Sequence, residues 1–306
     1  AAPPKTPNAP GRPPAGGGGR PVVVNQVPSP ANTATVTATQ RKEISVSRSE
    51  KISFTGSTGD TLAGVVDVPE GPVRGWGLYS HGLTLGKDSP AASRICKGLA
   101  EQGVGMLRFD NLGLGSSAGE WSAGSFSVKV ADTILAADFM REQGRGISLL
   151  VGHSFGGAAV LAAARDIPGL NAVVTVGAPY EPKHVEHMFD TEIESILRDG
   201  SAVVDLGGRP MEVRRHFVED VERADLRDCI RTLHKPLMVM HSPTDNTVGI
   251  DNASEIFRTA RHPRSFISLE GSEHLLTGKG QAARVARIIS AWADPYLEVS
   301  EVRDAS

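Results

Sequence analysis

Cysteine, long apolar runs and any excess of one charge are all scarce in this 306-residue chain, and each scarcity removes a class of function. Two cysteines, Cys96 and Cys229, are too few and too far apart for a disulfide-stapled secreted scaffold, and neither has the CxxC spacing of a metal or redox site. They read as reduced structural thiols. No apolar run approaches the roughly 18 residues that a membrane-crossing helix needs, and the amino terminus shows no n-region and h-region of a signal peptide. Thirty-two Lys and Arg against 35 Asp and Glu give a formal charge of −3, which offers no electrostatic basis for nucleic acid or an anionic membrane as partner. Small molecules and proteins remain, and nothing in the sequence fixes the oligomeric state.

What the chain does have is an apolar fraction of 40%, enough to build a substantial core in one large α/β domain or two smaller ones. Residues 1–45 stand apart: Pro, Gly, Ala, Ser and Thr dominate, a composition that buries too little apolar surface to offset its ordering entropy. This leader is expected to be a disordered tether. A globular domain is expected over 46–298 and a short tail over 299–306.

Within the globular part, "KISFTG" and "TLAGVVDVP" flank a turn at Ser57–Asp60 and read as an opening hairpin. Six nearly continuous apolar runs follow: "GWGLYSHGL", "GVGMLRFDNLG", "ISLLVGHS", "NAVVTVGAP", "KPLMVMHSPTD" and "RSFISLEGSEH". Such runs mark strands covered on both faces. Segments with helical periodicity alternate with them, so the expectation is α/β: an open, mostly parallel, doubly wound sheet that binds ligands at the carboxyl ends of its strands. The rhythm breaks between "TVGAP" and "HKPLMVMHS". That interval carries an acidic amphipathic helix ("HVEHMFDTEIESILRDG"), a hairpin ("AVVDLGGRPMEVRRHF") and a second charged helix ("VEDVERADLRDCIRTL"). A structureless loop of this length is improbable, so an inserted helix-hairpin-helix cap over about 180–235 is expected.

Ser154 follows the strand "ISLLVGH" and opens the helix that starts at Phe155, inside Gly152-x-Ser-x-Gly156. A turn this sharp forces neighbouring backbones together, and glycine two residues before and after the serine removes the clash. The hydroxyl is left exposed beside a helix N-terminus that favours developing negative charge. A serine nucleophile needs a histidine base and a carboxylate that orients it. Of nine histidines, His274 in "LEGSEHLL" lies just after the last strand and is the expected base. His153 is expected to point away from the serine, His81 to shape its own loop, and His241 to be satisfied in the core. His184, His187, His216 and His234 fall in the cap interval, and His262 follows a helix. Asp245, in the loop after the seventh strand, is the expected carboxylate. Asp110 reads as a turn former, Asp251 as the start of a helix, and Glu270 or Glu273 as substitutes only from the histidine loop itself. The backbone N–H groups of Phe155 and Leu83 are the expected oxyanion donors.

The order Ser154, Asp245, His274 on this strand pattern resembles the α/β-hydrolase superfamily. More narrowly, "RFDNLGLGSSAGE", "VGHSFGGAAVLAAA", "VGAPYEPKHVEHMF", "LGGRP", the piece from His241 to Leu276 and "IISAWADPYL" look like the hydrolase half of bacterial proteins that join such a domain to an OsmC-like one. The resemblance implies Ser154 as nucleophile, Asp245 as orienting acid, His274 as base, Leu83 and Phe155 as oxyanion donors, and an esterase-like activity with no cofactor and no metal. With no OsmC-like segment before Ser306, the chain is expected to be a hydrolase-only relative or a fragment of a larger protein. The cytoplasm is the expected location, with export left open by the start at Ala1. A small-molecule ester is the expected substrate. Amides and thioesters suit the same machinery, and a hydrolase fold kept as a scaffold is the rival of a different class. Met188, Phe189, Ile193, Ile196, Leu197, Met211 and Phe217 stand at spacings that fit either an acyl pocket or the core of the cap.

Overall fold

The computed structural model describes Ala2 and residues 48–297. The leader over 1–45 and the tail after 298 therefore lie outside the described residues, save Ala2. Among the described residues the first two strands are β1 (Arg48–Thr55) and β2 (Thr61–Val68), an antiparallel hairpin with Thr55 opposite Thr61. Then come β3 (Gly75–Ser80), α1 (Pro90–Ala100), β4 (Val104–Phe109), α2 (Phe126–Glu142), β5 (Ile147–His153), α3 (Phe155–Ala163) and β6 (Ala172–Val176). After an interval without a central strand the alternation resumes with β9 (Leu237–His241), α7 (Ile250–Thr259), β10 (Arg264–Ser268) and α8 (Gln281–Ala293).

Eight strands form one sheet in the order β1-β2-β4-β3-β5-β6-β9-β10. β2 is antiparallel to both neighbours, and every pairing from β4 to β10 is parallel. The apolar runs are continuous because both faces are covered. Along β5, Leu149 and Val151 face a cluster built with α1 and α8, while Leu150 faces a second cluster built with α2, α3 and α7. Adjacent residues of a pleated strand point to opposite faces, so a strand buried on both sides has no polar alternation to display. A mostly parallel, doubly wound α/β sheet is what the sequence pattern anticipates.

The interval between β6 and β9 departs from expectation in its helices. The first expected helix is instead two short 3-10 segments, Pro182–Met188 and Asp190–Glu192, leading into α4 (Ile193–Asp199). Phe189 breaks the run with φ −149°, and its ring is buried with its centroid 6.3 Å from that of Phe217. The expected hairpin is present as β7 (Ser201–Asp205) and β8 (Pro210–Arg214). The second expected helix is two, α5 (Arg215–Arg223) and α6 (Leu226–Arg231), because Asp225 caps the latter by accepting from the Arg227 and Asp228 amides at 2.9 and 3.4 Å.

Both cysteines are free; Cys96 is buried within α1 and Cys229 is half-buried on α6. No helix among the described residues is long and apolar enough to cross a membrane.

Candidate active site

Ser154 stands between the end of β5 and the start of α3 with φ 55° and ψ −127°, a conformation that L-residues other than glycine rarely adopt. Its own amide donates to the Val176 carbonyl at 2.9 Å, and its carbonyl accepts from Gly157 at 2.7 Å, so the strained turn is fixed at both ends. A Cβ on Gly152 would sit 2.7 Å from Gly157 Cα, and one on Gly156 would fall on the Ser80 and His81 carbonyl oxygens. The glycines therefore serve as steric clearance, and α3 packs directly on β3 and β5.

The structure brings Ser154, His274 and Asp245 together from three separate strand ends. His274 Nε2 lies 2.9 Å from Ser154 Oγ, and His274 Nδ1 lies 2.7 Å from Asp245 Oδ2. Asp245 follows β9, and its Oδ1 accepts from the Thr247 and Val248 amides, both at 2.9 Å. Burial alone would raise this carboxyl. The hydrogen bond from His274 and the two amides hold it below the usual aspartate value instead, so it is an anion that accepts the Nδ1 proton. Nε2 is then left as an acceptor facing the serine hydroxyl. The His274 loop is braced by Glu273, whose carboxylate accepts from the Leu275, Thr277 and Gly278 amides.

Three side chains or backbone positions around this relay carry more than the sequence discloses. His153, expected to point away, places its imidazole against His274 and donates from Nε2 to the His274 carbonyl at 2.8 Å. Burial pushes His153 down to about 4, so it is a neutral donor. Gly177, at the end of β6 with φ 57°, has no Cβ where one would stand 3.3 Å from His274 Nδ1 and 3.4 Å from Asp245 Oδ2. His81 donates from Nδ1 to the Gly82 carbonyl at 2.7 Å and accepts the Asn111 amide on Nε2 at 3.3 Å, a neutral arrangement that burial enforces.

The other candidates lie elsewhere. Asp110 anchors the turn after β4, accepting from the Lys87 amide at 2.7 Å, the Lys87 ammonium at 2.7 Å and the Ser116 amide at 2.9 Å. Asp251 is in the first turn of α7, and Glu270 pairs with Arg284 at 3.2 Å. His241 is fully buried and meets the Val248 carbonyl at 2.8 Å. His184 reaches the Thr247 carbonyl at 3.2 Å, tying the interval after β6 to the Asp245 loop.

A narrow cleft of about 30 Å³ is lined by Leu83 and Phe155 together with Trp121, Val128, Lys129, Asp132 and Phe217. Among the described residues neither the Leu83 nor the Phe155 amide donates to a protein acceptor, so both remain available to an oxygen bound there. Of the seven residues that fit either a pocket or a core, Phe217 lines the cleft, Phe189 and Ile196 are buried in the core, and Leu197 is exposed.

Known proteins bear out this architecture. A family model described as serine aminopeptidase, S33, matches residues 72–200. No curated protein matches the chain. Among solved structures, the esterase domain of a Rhodothermus marinus protein is similar at 40% identity, over 82% of this chain and 100% of that one, with a TM-score of 0.67. Est1E from Butyrivibrio proteoclasticus, in its ferulic acid complex, is similar at 18% identity over 80% of this chain and 98% of its own, with a TM-score of 0.65. XC6422 from Xanthomonas campestris, described as a serine hydrolase without lid, is similar at 16% identity over 83% of this chain and 97% of its own, with a TM-score of 0.60. The latter two share the fold.

Proposed function

This chain belongs to the α/β-hydrolase superfamily, and from that premise we propose that it is a serine hydrolase that cleaves carboxylic esters of small or medium acyl groups through an acyl-enzyme. One observation carries the reading: a serine at φ 55° has its hydroxyl 2.9 Å from His274 Nε2, and that imidazole stands 2.7 Å from a buried aspartate. Ser154 Oγ attacks the ester carbonyl as His274 Nε2 takes its proton. Asp245 holds the ring in the Nδ1–H tautomer and stabilises the imidazolium that forms. The Leu83 and Phe155 amides donate to the tetrahedral oxyanion; losing one such donor typically costs about 10²- to 10³-fold in turnover. The imidazolium then protonates the departing alcohol, and water, deprotonated by the same nitrogen, releases the acid from Ser154. The segment between β6 and β9 acts as a cap, with Phe217 as the side chain it contributes to the cleft.

Likeness to an esterase domain at 40% identity supports esters as substrates. The description of the family model favours a second reading, amide cleavage by the same residues. Rates on an ester, an amide and a thioester of one acyl group separate these. A scaffold without catalysis has no use for the aligned hydroxyl, imidazole and carboxylate. The decisive experiment is Ser154→Ala assayed on a p-nitrophenyl ester together with fluorophosphonate labelling. Turnover and labelling should both vanish while the melting temperature stays within about 2 °C, because one half-buried hydroxyl contributes little to stability. Undiminished turnover by the variant overturns the reading.

A further inference from the structure

The cleft that Leu83 and Phe155 line also holds a buried cation that forms no ion pair among the described residues. Lys129 lies in the first turn of α2, one turn past the N-cap Ser125, and is 6% exposed. Its ammonium donates to Asn111 Oδ1, and among the described residues it has no carboxylate oxygen within ion-pair distance. Burial pushes it down to about 7, the behaviour of an ammonium deprived of water without an anion in exchange. The groups facing it do not supply that anion. His81 is neutral, and Asp132, one turn further along α2, spends Oδ1 on the Ser57 amide at 2.7 Å. The other Asp132 oxygen has no partner, and burial raises that carboxyl, weakening its negative charge.

The donors are in surplus here. An ammonium has three hydrogens, and Asn111 Oδ1 takes one of them; Asn111 Nδ2 is itself buried with no acceptor. Apart from Asp132, Ser125 and Gly124, the rest of the wall is apolar: Leu83, Leu112, Val128, Phe155, Trp121 and Phe217. Two adjacent nitrogen donors in a mostly apolar cleft suit a planar, doubly accepting anion, which would gain charge-assisted hydrogen bonds there. We propose that Lys129 and Asn111 recognise a carboxylate carried by the substrate away from its scissile carbonyl, so that the preferred esters are half-esters of dicarboxylic acids or esters of hydroxy acids. This rests on the serine-esterase reading above and narrows it to an anionic substrate class.

Two matched pairs test it, one with the carboxylate on the acyl side and one with it on the alcohol side. Monomethyl adipate is compared with methyl hexanoate, and the butyryl ester of γ-hydroxybutyrate with butyl butyrate. The wild-type kcat/KM should favour the anionic member in at least one pair. Lys129→Met should lower that anionic-to-neutral ratio about 10- to 100-fold, the usual worth of a hydrogen bond to a charged group, and Asn111→Ala should lower it severalfold. A wild-type enzyme that labels with fluorophosphonate at Ser154 but shows no preference in either pair overturns the assignment and spares the esterase reading, whether or not the variants fold. A preference that survives in a folded Lys129→Met protein overturns it too. A chain that neither labels nor hydrolyses any of the four overturns the esterase reading, and this assignment with it.

Discussion

His153 shows what a single residue next to the proposed nucleophile can do through the backbone of another. Its Nε2–H donates to the carbonyl of His274, and its ring lies 5.3 Å from the His274 ring, centroid to centroid. His274, the proposed base, is therefore held from two directions, by Asp245 on its imidazole and by His153 on its backbone. His153→Leu removes the second hold and leaves a carbonyl without its donor. We expect kcat to fall about 10-fold, since small misplacements of catalytic groups cost up to about 10²-fold, while KM stays within about twofold. His153→Gln keeps a nitrogen donor at a comparable reach and should recover most of the loss. Equal kcat for the two variants would show that His153 merely fills space. Such roles escape the sequence because the partners are 121 positions apart and because strand periodicity does not say how a side chain turns at an elbow. Lys129 escapes for the opposite reason: on a helix that mixes charged and apolar residues one lysine looks like any solvated charge until the fold brings it to Asn111. Ser154, Asp245 and His274 were legible because each follows its own strand, and a parallel sheet brings successive strand ends to one edge.

Elements were legible wherever both faces of the sheet were covered, and less so in the interval after β6. There the expected first helix yields at Phe189, whose burial against Phe217 outweighs the helical pattern of its neighbours, and the second yields at Asp225, a side-chain cap that the sequence displays but that a charged, periodic stretch disguises. Buried charge within an apolar strand was also hidden: Arg108 on β4 meets Asp67 on β2 at 2.8 Å, a pairing that only strand neighbourhood creates. The junction of β5 and α3 is where element packing is least forgiving. A methyl group on Gly156 would collide with backbone oxygens of Ser80 and His81, which belong to β3 and its loop and do not move aside cheaply. Gly156→Ala should cost about 1–3 kcal/mol or more by urea denaturation and displace the Ser154 turn, lowering activity with it. Gly146, which has open space around it and no positive φ, is the control: Gly146→Ala should change stability by less than about 0.5 kcal/mol. Equal midpoints for the two variants would mean that α3 does not need to approach β3 so closely.

At the scale of the whole molecule, the buried bases tie stability to pH. His81, His153 and His241 are at most 1% exposed, and burial lowers all three below the ordinary histidine value of 6.5, His153 to about 4. As pH falls through 6.5 the unfolded chain takes up protons on these imidazoles and the folded chain does not, so the stability they contribute is complete well above 6.5 and is lost as pH falls toward the folded values. His153 alone should remove about 2 kcal/mol between about pH 7.5 and pH 5, with the window set by its folded value of about 4. Other groups titrate as well. Asp132 and Glu186, raised by burial, pull the other way on acidification, whereas Lys129, pushed down to about 7, costs stability that grows as pH falls toward 7 and is then constant. All of these are shared by wild type and His153→Gln, which donates in the same place but does not titrate. The comparison of the two proteins isolates the histidine: relative to wild type, His153→Gln should gain about 2 kcal/mol, or about 4–8 °C in Tm, on going from about pH 7.5 to pH 5. If the two stability curves run parallel over that range, His153 titrates in the fold as it does in the unfolded chain, and at pH 5 its contact with the His274 carbonyl holds a charged ring beside the proposed base.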